Sequence, residues 1–117
     1  MKNVLYGKCV RCGRTYEATP DLTTCECGGI LDITYDYDYI RTQLTKEKLA
    51  ARTDRSMWRY RELLPIEETT ENTPLRVGNS PLYEEPRLAE MLGLMRLYVK
   101  DDGQNPTASL KDRASAM

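Results

Sequence analysis

Histidine is absent from the 117 residues, so acid–base chemistry here falls to lysine, tyrosine, a carboxylate or a bound cofactor. No apolar run approaches the roughly 20 residues that a membrane-spanning helix needs. The opening Met1-Lys2-Asn3-Val4-Leu5-Tyr6-Gly7 lacks the apolar stretch of a secretory signal, and a cytoplasmic placement is expected. Neither charge is in surplus. A net charge of −1 gives no reason to expect a nucleic-acid partner. There is no internal repeat and no low-complexity tract. Cysteine is missing after residue 27, and the four that exist all lie within the first 27 residues. With no export signal beside them, a pair of structural disulfides is a poorer reading than a metal site. What remains, 40% apolar and 30% charged, is ordinary for a soluble globular chain about one small domain long.

The texture changes twice along the chain. Residues 1–40 hold the cysteines and most of the glycine-rich turns. Within them Leu31, Ile33, Tyr35, Tyr37 and Tyr39 alternate with Asp32, Thr34, Asp36 and Asp38, which predicts a half-buried strand from Leu31 to Tyr39. That regular alternation argues against a calcium loop, since no EF-hand-like glycine and terminal glutamate follow. Residues 41–65 read as a helical connector. Met57, Tyr60 and Leu64 recur at helical spacing until Pro65 stops them, and Trp58, the single tryptophan, suits a packing role. Residues 66–117 alternate short strands and helices. Pro86 suits a first helical turn, Leu88, Met91 and Leu92 give that helix one apolar face, and Gly93 suits its end. Met95, Leu97 and Val99 then predict a strand, and a second helix is expected to start at Ser109. The order of elements predicts an α/β architecture. The parallel sheet it implies would have too few strands, so the chain reads as a fragment of a longer protein.

The cysteines fall as Cys9-Val10-Arg11-Cys12-Gly13 and, beyond twelve intervening residues after Cys12, Cys25-Glu26-Cys27-Gly28-Gly29. Zinc takes four soft ligands in a tetrahedron, usually from two tight turns. The first pair has the spacing of such a turn, and the glycine behind it frees backbone amides to point at the thiolates. The second pair is one residue shorter but has two glycines behind it. Cys9, Cys12, Cys25 and Cys27 are therefore expected to hold a structural zinc in a zinc-ribbon-like β segment. A redox role for Cys9 and Cys12 is disfavoured, because the motif does not open a helix after a strand.

Lys111 lies in Asn105-Pro106-Thr107-Ala108-Ser109-Leu110-Lys111-Asp112-Arg113. Ser109 and Asp112 have capping-box spacing, which would put Lys111 in a first helical turn. The positive end of a helix, together with burial, favours a neutral amine there. A neutral lysine is a nucleophile toward an aldehyde cofactor. Taken alone, this serine–lysine pattern is weak, and an ordinary exposed lysine is the plainer reading.

The surrounding stretch adds weight. From Lys100-Asp101-Asp102-Gly103 to Ser115 the chain resembles the cofactor-lysine motif of the tryptophan-synthase-β-like, fold type II, pyridoxal-phosphate (PLP) enzymes, threonine synthases in particular. Leu110 stands where that family often has phenylalanine, and Ala108 where it often has glycine. Thr73-Pro74-Leu75, Ser80-Pro81-Leu82-Tyr83, Arg87-Leu88-Ala89, Leu97-Tyr98-Val99-Lys100 and the cysteine ribbon match in order and approximate spacing. The resemblance implies that residues 66–117 begin a PLP-dependent catalytic domain. Lys111 would hold PLP and then serve as a proton-transfer base, and Ser109 would line the site. Asp112 and Arg113 would fix the lysine's position without a chemical step. The implied reaction converts O-phospho-L-homoserine and water to L-threonine and phosphate. The implied partner is thus a small-molecule substrate, with no nucleic acid or membrane, and a homodimer is the candidate assembly at full length. The family's phosphate-cradling Gly-rich loop lies well downstream of its lysine, so residues 1–117 alone are expected to be inactive. Cysteate synthase and the threonine dehydratases share the lysine motif, and a non-catalytic zinc-ribbon binding module is the alternative from another class.

Overall fold

A computed structural model describes residues 1–117. The chain divides into two compact units, one made of Met1–Arg52 and Tyr60–Thr70, the other of Thr53–Arg59 and Glu71–Met117. No helix is long and apolar enough to cross a membrane.

The first unit is built on three antiparallel strands, β1 (Val4–Cys9), β2 (Thr15–Tyr16) and β3 (Leu31–Tyr35), in the order β2-β1-β3. The register sets Cys9 opposite Leu31, at the start of β3, and Lys8 opposite Thr15. The turn after β1 and the turn before β3 therefore lie at one end of the sheet. A bridge between Thr24 and Ile30 closes the second turn.

The strand expected to reach Tyr39 stops at Tyr35. Asp36 accepts a hydrogen bond from the Tyr39 backbone N–H at 2.8 Å and caps a helix, α1 (Tyr37–Gln43). The alternating pattern hid this cap, because Asp36 looks like one more solvent-facing strand residue. Ile40, on α1, is buried. Thr45 caps α2 (Lys46–Ala51) in the same way, accepting from the Lys48 N–H. The spacing of Met57, Tyr60 and Leu64 predicts an α-helix, but the structure has 3-10 geometry over Met57–Leu63, broken at Tyr60. Pro65 follows after Leu64, and the residue directly ahead of a proline is disfavoured in the α conformation, so the segment does not run on as a helix.

Polar straps hold the returning segment of this unit. The buried Asn3 amide donates to the carbonyls of Glu62 (3.1 Å) and Leu64 (2.7 Å). Arg52 pairs with Glu62, whose carboxyl the guanidinium holds below the usual range. Buried apolar side chains are few here: Cys9, Cys25 and Ile40.

In the second unit β4 (Leu82–Glu84) and β5 (Tyr98–Lys100) pair antiparallel, with α3 (Pro86–Met91) between them in sequence. This pairing is local and differs from the parallel one that the element order predicts. Pro86 occupies the start of α3. Gly93, at φ 67°, ends it as expected: its N–H donates to the Glu90 carbonyl, and the Leu94 N–H to the Ala89 carbonyl. A final helix, α4 (Asp112–Ser115), closes the described chain. Met57, Trp58, Val77 and Ala89 are the buried apolar residues of this unit.

Candidate functional site

Two clusters of chemistry-bearing side chains stand out, one in each unit. In the first, the Sγ atoms of Cys9, Cys12, Cys25 and Cys27 all lie within 4.8 Å of one another. Cys9 and Cys27 are 3.6 Å apart, as are Cys12 and Cys25, so none is bonded in a disulfide. Cys9 and Cys25 are buried, Cys27 is half-buried and Cys12 is exposed. Both turns are tight for a visible reason. Gly13 and Gly28 take φ of 76° and 77°, a conformation that side chains rarely adopt. The backbone N–H groups of Arg11 and Cys12 point at the Cys9 sulfur, at 3.4 and 3.5 Å. At Gly29 a Cβ would lie 2.6 Å from that same sulfur, so only glycine fits.

The surroundings favour thiolates unevenly. The Tyr16 hydroxyl, 3.1 Å from the Cys25 sulfur, leads the effects that lower Cys25 to about 6. The Cys12 backbone N–H leads the effects that lower the Cys9 thiol from its ordinary value. At Cys27 the Gly29 N–H favours the thiolate, but the neighbouring sulfurs of Cys25 and Cys12 outweigh it and push the thiol up to about 12. Sulfurs this close cannot all ionise unless a cation sits among them.

In the second unit, Lys111 sits on a braced turn. The Asp112 carboxylate, buried, accepts from both the backbone N–H (2.8 Å) and the hydroxyl of Thr107, clasping the residues between them into a loop. The Arg113 guanidinium donates to the Asp102 carboxylate through Nε (3.1 Å) and Nη2 (2.8 Å), and to the Ser80 hydroxyl at 3.2 Å. Ser80 in turn donates to Asp102. The guanidinium, with the serine hydroxyl, holds the Asp102 carboxyl well below the usual carboxylate range. Asn105 accepts from the Gly78 N–H at 3.0 Å and donates to the Asp102 carbonyl at 2.9 Å.

Inside this brace the Lys111 side chain is exposed and its amine makes no hydrogen bond or ion pair. Its backbone N–H donates to the Ser109 hydroxyl at 3.1 Å, and Ser109 is half-buried. The helix expected to begin at Ser109 begins instead at Asp112, with Lys111 as its cap residue. Ala108 causes the delay: its φ of 56° is left-handed, and the Asp112 carboxylate accepts from Thr107 rather than from the Ser109 backbone N–H. Residues 109–113 form a tighter turn first, with bonds from Asp112 to Ser109 and from Arg113 to Leu110. The burial expected around the Lys111 amine is not supplied by these neighbours.

Two proteins named threonine synthase match nearly the whole chain. The one from Methanocaldococcus jannaschii is 44% identical over 106 residues, 91% of this chain and 26% of that protein. The one from Methanosarcina acetivorans is 43% identical over 107 residues, again 91% of this chain and 25% of that protein. These homologues are named threonine synthase, and the match is consistent with an N-terminal portion of such a protein. It spans about a quarter of the length of these curated relatives. A cysteate synthase of M. acetivorans also matches, at 33% identity over 101 residues, 85% of this chain and 21% of that protein. No family model matches the chain. No solved structure matches it.

Gly78 and Asn79 carried no reading from the sequence. Beside the threonine-synthase-like lysine motif, Gly78 and Asn79 form a turn in which both take positive φ. A Cβ on Gly78 would lie 2.8 Å from the Met57 backbone nitrogen. The Gly-Asn pair is a recognisable turn signal, and Asn105 is the natural acceptor beside it. The partnership of Ser80 with Asp102 and Arg113 left no local signal, because 33 residues separate Ser80 from Arg113.

Proposed function

We propose that this chain is the N-terminal portion of a threonine synthase that converts O-phospho-L-homoserine and water to L-threonine and phosphate. The observation that carries the reading is identity of 43–44% across 91% of the chain to proteins of that name, against 33% for a cysteate synthase. The cysteate synthase reading fits less well on that comparison alone. In this reading residues 66–117 begin the PLP-dependent domain and residues 1–40 form a ribbon joined to it by the connector 41–65.

The lysine turn fits a role in holding PLP. Lys111 offers an amine that no carboxylate or carbonyl engages, on a loop that two independent clasps fix. When bound, PLP supplies the electron sink that loss of phosphate and addition of water both require. Lys111 holds the cofactor and afterwards takes and returns protons at its amine. Ser109 accepts from the Lys111 N–H, which leaves its own hydroxyl proton free to turn toward the cofactor. Asp112 and Arg113 are positioning residues: one shapes the loop, the other ties it to Asp102 and Ser80.

Borohydride reduction of the PLP-loaded protein, followed by peptide mapping, tests the assignment. Label on Lys111 is expected, and label on another residue would overturn it. Phosphate release from O-phospho-L-homoserine tests the reaction in any longer chain that carries these residues. Residues 1–117 alone are expected to release none, since Lys111 and Ser109 are the only groups here proposed to meet PLP.

A further inference from the structure

We propose that Cys9, Cys12, Cys25 and Cys27 bind one Zn²⁺ as a closed tetrathiolate, and that this ion takes the place of a hydrophobic core in the first unit. The geometry comes first. A Zn–S bond of about 2.3 Å in a tetrahedron puts the sulfurs about 3.8 Å apart. Two of the sulfur pairs are 3.6 Å apart and none exceeds 4.8 Å. A metal would need to move these atoms by less than an ångström.

The turns are already arranged as a metal site requires. Each is tightened by a glycine at positive φ, and both sit at one end of the sheet because β1 ends at Cys9 opposite the first residue of β3. Donors aim at the sulfurs from the surroundings: two backbone N–H groups at Cys9 and the Tyr16 hydroxyl at Cys25. These are the outer contacts that orient ligands and offset thiolate charge. On binding, each thiol gives up its proton and the site becomes negative overall. The Arg11 guanidinium, bonded to the Cys27 carbonyl at 3.0 Å, stands beside it as a counter-charge.

The fold also needs a cross-link. Of the three buried apolar side chains in this unit, two are Cys9 and Cys25 themselves. Leu5, Val10 and Ile30 are all more than half exposed. A three-stranded sheet with one buried isoleucine beside it has little apolar surface to set against the entropy of ordering. Four protein ligands leave no open coordination position, so the ion is structural and takes no part in the reaction. All-thiolate tetrahedra suit iron as well. We commit to zinc because a site without chemistry gains nothing from a redox metal.

Metal content and ligation test the proposal independently of any enzyme activity, so its failure would leave the threonine synthase reading untouched. The protein is purified without affinity metal and measured by elemental analysis. One zinc per chain is expected, with all the cysteines protected from alkylation until a chelator is added. Refilling the stripped protein with Co²⁺ should give the visible bands of a tetrahedral thiolate site, and Cys12→Ser should shift those bands even where it folds. Iron in place of zinc would overturn the choice of ion. Chains without metal whose cysteines alkylate freely, or that carry disulfides in non-reducing mass spectra, would overturn the site.

Discussion

At the scale of single residues, two small side-chain positions separate the clusters from ordinary turns. Gly29 is fixed by contact, because a methyl there would press on both the Cys9 sulfur and the Arg11 Cβ. Gly29→Ala is therefore expected to spread the cysteines. Thiol alkylation without denaturant should then proceed at the rate of an unfolded peptide. Ala108 is the opposite case, a residue with a Cβ where the backbone favours none. Left-handed backbone costs an L-residue about 1–2 kcal/mol. Glycine costs about 0.5–1 kcal/mol through the unfolded chain. The first outweighs the second, so Ala108→Gly should stabilise the lysine turn by up to ~1 kcal/mol, seen as slower amide exchange at Asp112 and Arg113. Asp102 supplies a pH test. Its carboxyl is depressed in the folded state by Arg113 and Ser80. Stability from this pair is thus present above the unfolded value of about 4 and is lost as pH falls below it. Arg113→Gln should move the carboxyl titration, followed by NMR, back up toward about 4.

At the scale of elements, what could be read in advance depended on whether the deciding interaction was local. Pro86 and Gly93 mark the ends of α3 by backbone geometry that each residue carries with it, and both were legible. The cysteine turns were legible because glycine spacing and thiol spacing agree. The β3–α1 boundary was not, since Asp36 serves as a cap only through a bond to Tyr39, and Asp32 and Asp38 offer the same side chain nearby. The antiparallel pairing of β4 with β5 was equally hidden, as no single residue records its partner strand. The cap makes a clear prediction. Asp36→Ala removes the acceptor for the Tyr39 N–H and should cost about 1 kcal/mol. The loss should appear as fraying of α1 in amide exchange, while β1–β3 pairing persists, because the bond from the Asp36 N–H to the Asn3 carbonyl survives the substitution.

At the scale of the whole molecule, the surface of the second unit is the feature that needs accounting for. Leu82, Leu92 and Met95 are each more than half exposed, Met95 completely, and every residue of β4 and β5 is exposed. Soluble monomers rarely show contiguous apolar patches beyond a few hundred Å². A two-stranded sheet is marginal in water unless something packs on it. This chain's match spans about a quarter of the threonine synthases compared above, so in them further polypeptide is available to cover such side chains. Residues 1–117 expressed alone should therefore bind an apolar fluorescent dye and self-associate as concentration rises. Replacing Leu82, Leu92 and Met95 together with serine should reduce both, while leaving the Asp102–Arg113 clasp in place, since none of the three takes part in it. Dye binding unchanged by the substitutions would mean that the apolar surface lies elsewhere.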